Sequence, residues 1–359
     1  MQINFIYSMV RLPWMCRLVV VLTLVAGAPV RAADSPRSST RAELVMGAIA
    51  QITIADGAND ALFAAAFAAL RDVDATMSLY RPDSALVRVN AHAARHAEPV
   101  DAELFACLER SRALSAVTDG AFDVTVLPLL RAWGAYPGLD HLGAGRVDAV
   151  GWGGLVLDPV ARAVRFRREG MGIDLGGIAK GFALDRARSA LSAAGVRRAT
   201  LDLGGNLALL GDGPGQGWRV AVRDPAASET TLGVLTLGPN EAVSTSGNYA
   251  RDFAVEGWRA RSHVYDPRTG KAARADLAVT VWAPDATTAD ALSTALLVLG
   301  PEGAADVLAR EPEVGALFVD DGGSDRRIIL MGRSPRGFES HTERRVVTVS
   351  AEQTESARW

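Results

Sequence analysis

Cysteine and lysine are both scarce in this chain of 359 residues, and each scarcity excludes something. Cys16 precedes the N-terminal apolar run, and Cys107 is the one thiol beyond it. An exported chain with a single thiol forms no internal disulfide, so its stability must come from burial. Lys180 and Lys271 are the only lysines, and there is no basic excess: the formal net charge is −3. Removing residues 1–32 takes away Arg11, Arg17 and Arg31 and no acid, which moves the charge to −6. That excludes the electrostatic footprint of a nucleic-acid binder. Internal repeats are absent, as is an apolar run that spans a bilayer comfortably. The run "LVVVLTLVAGAPV" at 18–30 is broken by Gly27 and Pro29. With arginines ahead of it and small residues Val30 and Ala32 before Ala33, it reads as an export signal cleaved after residue 32. Cys16 lies on the wrong side of the run for a lipid anchor. The mature chain is expected in the periplasm with no stable transmembrane span.

What is there is the balance of a soluble globular protein, 49% hydrophobic and 22% charged. Residues 33–42 are linker-like, and "IAQITI" at 49–54 alternates as a strand does. A helix capped near Asn59 or Asp60 follows, with the stripe Leu62, Phe63, Ala66, Phe67, Leu70, Val73 and Met77. A second helix runs from about Asp101 to Val117 and carries Cys107 on its apolar side; a third runs from about Ala179 to the stop at Gly195. Short β-type runs fill about 198–285, then a helix to Leu299, another to about Arg310, and the strands "GALFV" and "RRIIL". Helices and strands come in blocks, so the fold class is α+β with mixed or antiparallel sheets and packed helices. One domain is expected over 43–335, followed by a polar, mobile tail from about Ser334, with 336–359 outside the domain.

Four clusters set polar residues and glycines into apolar surroundings. "GIDLGGIAKG" at 172–181 is a strand that turns through glycines into a helix, where free amides and Lys180 would attract phosphate. The Walker and dinucleotide spacings are both absent. In "TTADALSTALLVLG" at 287–300, Asp290 and Thr294 are four apart and share a helix face, with Ser293 at its edge; a carboxylate and a hydroxyl suit a hard cation such as Mg²⁺. "AVSTSGNYARDF" at 242–253 is a run of small donors, and "SHVYDPRTGK" at 262–271 places His263 before a turn built on Pro267 and Gly270. Finally, "MSLYRPDS" at 77–84 and "DGAFDVTVLPLLRAWG" at 119–134 offer aromatics and a carboxylate able to hold a flat heterocycle. Each cluster taken singly has an ordinary structural explanation: a turn, a solvated helix face, a structural histidine, core packing.

Taken together and in this order they resemble the ApbE family, the FAD:protein FMN transferases, over roughly residues 43–335. The resemblance lies in "MGA", "MSLYRPDS", "GAFDVTVLPLL", "IDLGGIAKGFALD", "LDLGGNLALLG", "VSTSGNY", "SHVYDPRTGK" and "ADALSTALLVLG". Two positions depart from the family's pattern: Ala48 where Thr is usual, and Val124 where Pro is common. The resemblance implies transfer of FMN from FAD, as substrate, to a Thr hydroxyl of an exported acceptor protein, with release of AMP and dependence on Mg²⁺. It also implies that Met46, Tyr80, Ala121, Phe122, Asp123, Asp174, Lys180 and Tyr265 contact FAD. Asp290, Ser293, Thr294 and the Gly177 carbonyl would hold Mg²⁺, and His263 would be the acid/base or orienting group. Two alternatives keep the same residues: an FAD pyrophosphatase with water as acceptor, and an exported flavin carrier without turnover.

Overall fold

The computed structural model describes residues 38–143, 145–247, 264–322 and 326–349. The expected leader at 1–32 and His263 lie outside these ranges. In chain order the elements are β1 (Ser39–Val45), β2 (Ala48–Ile54), α1 (Asp60–Met77), α2 (Ala85–His92), β3 (Glu98–Pro99), α3 (Ala102–Val117), α4 (Leu127–Ala132), β4 (Leu155–Asp158), β5 (Ala163–Phe166) and α5 (Ala179–Ala193). There follow β6 (Ala199–Leu203), β7 (Asn206–Leu210), β8 (Trp218–Asp224), β9 (Ala227–Leu237), β10 (Ala242–Gly247), β11 (Leu277–Ala283), α6 (Ala286–Arg310), β12 (Gly315–Asp320), β13 (Arg327–Gly332), β14 (Gly337–Ser340) and β15 (Arg345–Val349).

Nine strands form one sheet in the order β1-β2-β6-β7-β10-β11-β12-β13-β15, antiparallel except for the last pair. Its centre is buried on both faces, and the period-two alternation of a strand sorts residues between two cores. In β11, Leu277, Val279, Val281 and Ala283 enter the main core beneath the helices, while Ala278 and Trp282 enter a second core. The small sheet β14-β9-β8 covers that second core with Val222, Leu235 and Leu237.

The helices start where the local chemistry dictates. The Asn59 side chain accepts the Leu62 N–H at 3.0 Å and so caps α1, whose buried residues are Phe63, Ala66, Phe67, Leu70, Val73 and Met77. Asp101 caps α3 through Leu104 N at 2.8 Å, and Asp285 caps α6 through Thr288 N at 2.7 Å. α6 breaks at Gly300 (φ 69°), ahead of Pro301, so the two helices read from the sequence are both present, separated by this non-helical residue. It is long and apolar enough to cross a membrane, yet 61% of its most apolar window is buried in the protein, as befits a core helix.

Two expectations need correction. α2 lies between the helices read from the sequence at about Asn59–Met77 and Asp101–Val117, an element that reading did not include; its cap is the buried Ser84, which accepts Val87 N at 3.1 Å. The polar stretch after Ser334 is not a free tail as far as residue 349. Gly337–Ser340 pairs with β9, and Arg345–Val349 extends the large sheet beside β13, because Val347 and Val349 pack on the main core while the alternate residues face outward.

Candidate active site

α5 and α6 cross where Gly181 meets Ala286. A Cβ on Gly181 would lie 2.1 Å from the Ala286 carbonyl oxygen and 2.8 Å from Asp290 Cβ, so only glycine permits the approach. At the crossing each helix caps the other. Asp185 of α5 accepts from Ala286 N (2.9 Å), Thr287 N (2.8 Å) and Thr287 Oγ1 (2.6 Å), and Asp290 of α6 accepts from Gly181 N at 2.9 Å. A carboxylate at a helix start is favoured both by the unpaired N–H groups and by the helix dipole.

Asp290 is 4% exposed. Its second oxygen accepts from Asn206 Nδ2 at 2.9 Å, and Asn206 Oδ1 in turn accepts from Ser244 Oγ at 2.8 Å. Ser244 and Ser246 reach Ser293 Oγ at 3.1 and 2.7 Å, so the hydroxyl run of β10 and the oxygen-bearing face of α6 form one network. Among the described residues no Lys, Arg or His forms an ion pair with Asp290. A buried carboxylate held by neutral donors alone keeps unused lone pairs and an uncompensated charge. One turn on, Thr294 Oγ1 lies 3.0 Å from where a Gly177 Cβ would stand, and Phe122 Cε2 lies 3.4 Å from the same point. Asp290, Ser293, Thr294 and Gly177 are therefore brought together, with Phe122 against them. The donor set is all oxygen, which fits a hard dication.

Gly176 leads to a second group. Asp174, 6% exposed, accepts from Gly176 N at 2.7 Å and, through a very short contact, from the Tyr136 hydroxyl. Burial pushes the Asp174 carboxyl above its ordinary value, against the lowering pull of Tyr136, Gly176 and the Lys180 charge. Desolvation beside that carboxylate also raises the Tyr136 hydroxyl, so the proton stays on the tyrosine. Tyr80, 69% exposed, meets the Tyr136 ring edge-on at 5.6 Å. Tyr80, Asp174 and Lys180 thus share one neighbourhood, organised by Tyr136, a residue that no motif marks.

Four of the six amides from Gly176 to Gly181 are already engaged. Ile178 N and Ala179 N both bond Leu175 O, at 3.0 and 2.8 Å; Gly176 N holds Asp174, and Gly181 N holds Asp290. The protein supplies its own anions there, and Lys180 is left as the cationic side chain of the corner.

Ala121, Phe122 and Asp123 are buried in the loop from α3 to α4. Asp123 points both oxygens inward, accepting from Thr125 N, Thr125 Oγ1 and Trp152 N at 2.7–2.8 Å; burial raises its carboxyl and those bonds oppose the rise. Its side chain holds the loop. The turn at Asp266–Gly270 docks at the end of α4: Trp133 Nε1 donates to Gly270 O at 3.2 Å, and the Tyr265 ring stacks on Trp133 at 5.4 Å and 13°. Met46, half-buried against the main core, is at the tip of the β1–β2 hairpin, where it and Gly47 (φ 52° and 70°) make the left-handed pair of a two-residue turn. Sequence reasoning passed over Tyr136, Asn206 and Trp133; the last two lay within quoted motifs, and Tyr136 lies outside all of them.

A sequence profile of the ApbE family matches residues 46–318. A FAD:protein FMN transferase of Treponema pallidum is similar to this chain at 33% identity over 309 residues, 79% of this chain and 84% of that protein. Another, from Escherichia coli strain K12, is 32% identical over 262 residues, 70% and 74% of the two chains. Among solved structures, the ApbE protein of Thermotoga maritima superposes with a TM-score of 0.70 at 30% identity, covering 80% of this chain and 96% of that one. The flavin transferase ApbE of Vibrio cholerae does so at 0.69 and 27%, covering 82% and 96%.

Proposed function

The chain belongs to the ApbE family, and from that premise we propose that it is an exported, Mg²⁺-dependent FAD:protein FMN transferase working on a Thr hydroxyl of a periplasmic acceptor protein. The observation that carries this reading is the buried carboxylate of Asp290, which has no cationic partner among the described residues, with Ser293 and Thr294 on its helix and Gly177 opposite. Asp290 and Thr294, with the Gly177 carbonyl and Ser293 beside them, would hold Mg²⁺. Bound there, the ion supplies charge neutralisation for a diphosphate.

The chain's own groups do the rest. Lys180 adds positive charge at the corner, and Tyr80, Phe122, Tyr265 and Trp133 offer flat faces for the flavin rings. The new bond forms between the acceptor Thr oxygen and the FMN-side phosphorus of FAD; the bond from that phosphorus to the AMP oxygen breaks, and AMP leaves with the electron pair. The hydroxyl proton passes to His263, whose imidazole titrates near neutrality when unperturbed. Such transfers depend on in-line positioning and charge stabilisation more than on covalent help. This suits a site held by interlocked helix ends.

Mass spectrometry of an exported flavoprotein co-expressed with and without this chain tests the proposal. An FMN adduct on a Thr, present only with the chain, is the expected result. FMN and AMP accumulating beside an unmodified acceptor would make the chain a pyrophosphatase, and unconsumed FAD a carrier.

A further inference from the structure

Three side chains remote in role from the flavin residues converge at the end of α2. Past His92 the chain keeps helical spacing for one more turn, with Ala93 N on Val89 O (2.9 Å), Arg95 N on His92 O (2.8 Å) and His96 N on His92 O (3.2 Å). His92 and His96, four apart, therefore stand on one side with ring centroids 5.5 Å apart. Two residues on, Glu98 is fixed in β3 by pairing with Val164 of β5. Its Oε2 lies 3.4 Å from His92 Nδ1 and 3.9 Å from His96 Nε2, and the three donor atoms all lie within 4.8 Å of one another. Among the described residues this is the one such group of three His, Cys, Asp or Glu side chains.

Three details match a metal site better than a solvated charge cluster. His96 Nδ1 sits 3.4 Å from the His92 carbonyl; an N–H donated there fixes the tautomer that leaves the Nε2 lone pair facing Glu98. Arg88 Nε lies 3.7 Å from Glu98 Oε1, the other oxygen, and so leaves Oε2 to the two imidazoles. Metal–ligand bonds of about 2.0–2.2 Å put tetrahedral donors about 3.3 Å apart. The His92–Glu98 pair is already there, and the His96 ring, 60% exposed, is free to close the rest by rotation.

We propose that His92, His96 and Glu98 form a second metal site, for a dication of the Zn²⁺ type, that ties the end of α2 to β3. Two imidazoles and one carboxylate suit such ions and poorly suit Mg²⁺, so the site is chemically distinct from the all-oxygen set around Asp290. Its effect reaches the flavin residues by one short path. Asn90, on the same helix end, makes both backbone bonds of Ile173 (Nδ2 to its O at 2.9 Å, its N to Oδ1 at 2.7 Å), and Ile173 immediately precedes Asp174. The site stiffens this frame and takes no part in the transfer itself. It stands whether or not the transferase reading does.

The test is equilibrium dialysis of the chelator-treated full chain against Zn²⁺ in excess Mg²⁺, with thermal unfolding in parallel. One zinc per chain and a raised unfolding temperature are expected. His96→Ala and Glu98→Gln should each weaken binding by at least about tenfold, while His96→Ala leaves zinc-free transfer activity unchanged. No stoichiometric uptake by the native chain, or equal uptake by the double variant His92→Ala/His96→Ala, overturns the proposal.

Discussion

Replacing Asp290 by asparagine separates the two duties of this side chain. The carboxylate caps α5 through Gly181 N and accepts from Asn206, and it supplies the charge of the proposed Mg²⁺ site. In Asp290→Asn the amide oxygen still accepts from Gly181. The new NH₂ group faces Asn206, whose amide can flip to accept it while Ser244 turns its hydroxyl. The network therefore survives, and a buried charge with no cationic partner among the described residues disappears. Without Mg²⁺ the variant should unfold at the native temperature or above it. Asp290→Ala, by contrast, leaves Gly181 N and Asn206 Nδ2 unpaired in a buried place, at about 1–3 kcal/mol each. Catalysis should respond in the opposite way. Losing the charge that holds the ion should cost about 3–4 kcal/mol of transition-state stabilisation, or about 10²–10³-fold in transfer rate. The assay pairs covalent flavin fluorescence on an acceptor with thermal scans at zero and saturating Mg²⁺. An ion at 100 times its Kd adds about 2.7 kcal/mol to the native protein, and nothing to the variant. Native-like transfer by Asp290→Asn, or an equal Mg²⁺-dependent rise in its unfolding temperature, would refute the reasoning.

Gly181→Ala forces a methyl against the Ala286 carbonyl, a backbone atom that cannot yield cheaply; chemical denaturation should show a loss of about 1–3 kcal/mol or more. The Asp174 carboxyl is raised by burial, so the stability it contributes is fully present below the ordinary carboxylate pKa and is lost as pH rises through the raised value. Asp174→Asn should therefore gain stability relative to the native chain as pH rises from about 4 toward neutrality, and a difference that is flat across that range contradicts the assignment. His263→Ala should cut kcat steeply with FAD affinity nearly unchanged, as read by flavin binding beside single-turnover transfer; parallel loss of both would make His263 structural.

How much of this was legible from the sequence depends on how local each cause is. α1 was legible because Asn59 and its buried stripe obey one period over 18 residues. The α2 helix was not: it has eight residues, and its cap, Ser84, belongs to a stretch that also reads as a turn. β15 escaped because "RVVTV" is short and mostly exposed; only its place beside β13 makes it a strand. The oxygen face of α6 could be read from the spacing of Asp290 and Thr294. Its supports could not, since Asn206 and Gly181 lie 84 and 109 residues away. Tyr136 reaches Asp174 across 38 residues in the same way. The same distance in sequence hid what engages Gly181 N at the corner: nothing local announces that Asp290 will come from α6 to accept from it.

The most direct test of the central claim is a crystal of the chain grown with ADP and Mn²⁺, read by anomalous scattering. The account predicts a manganese peak at the Asp290 carboxylate and the Thr294 hydroxyl, bridged to the phosphates of the nucleotide beside Gly177. A nucleotide bound elsewhere, or bound there with no peak at Asp290, would contradict it.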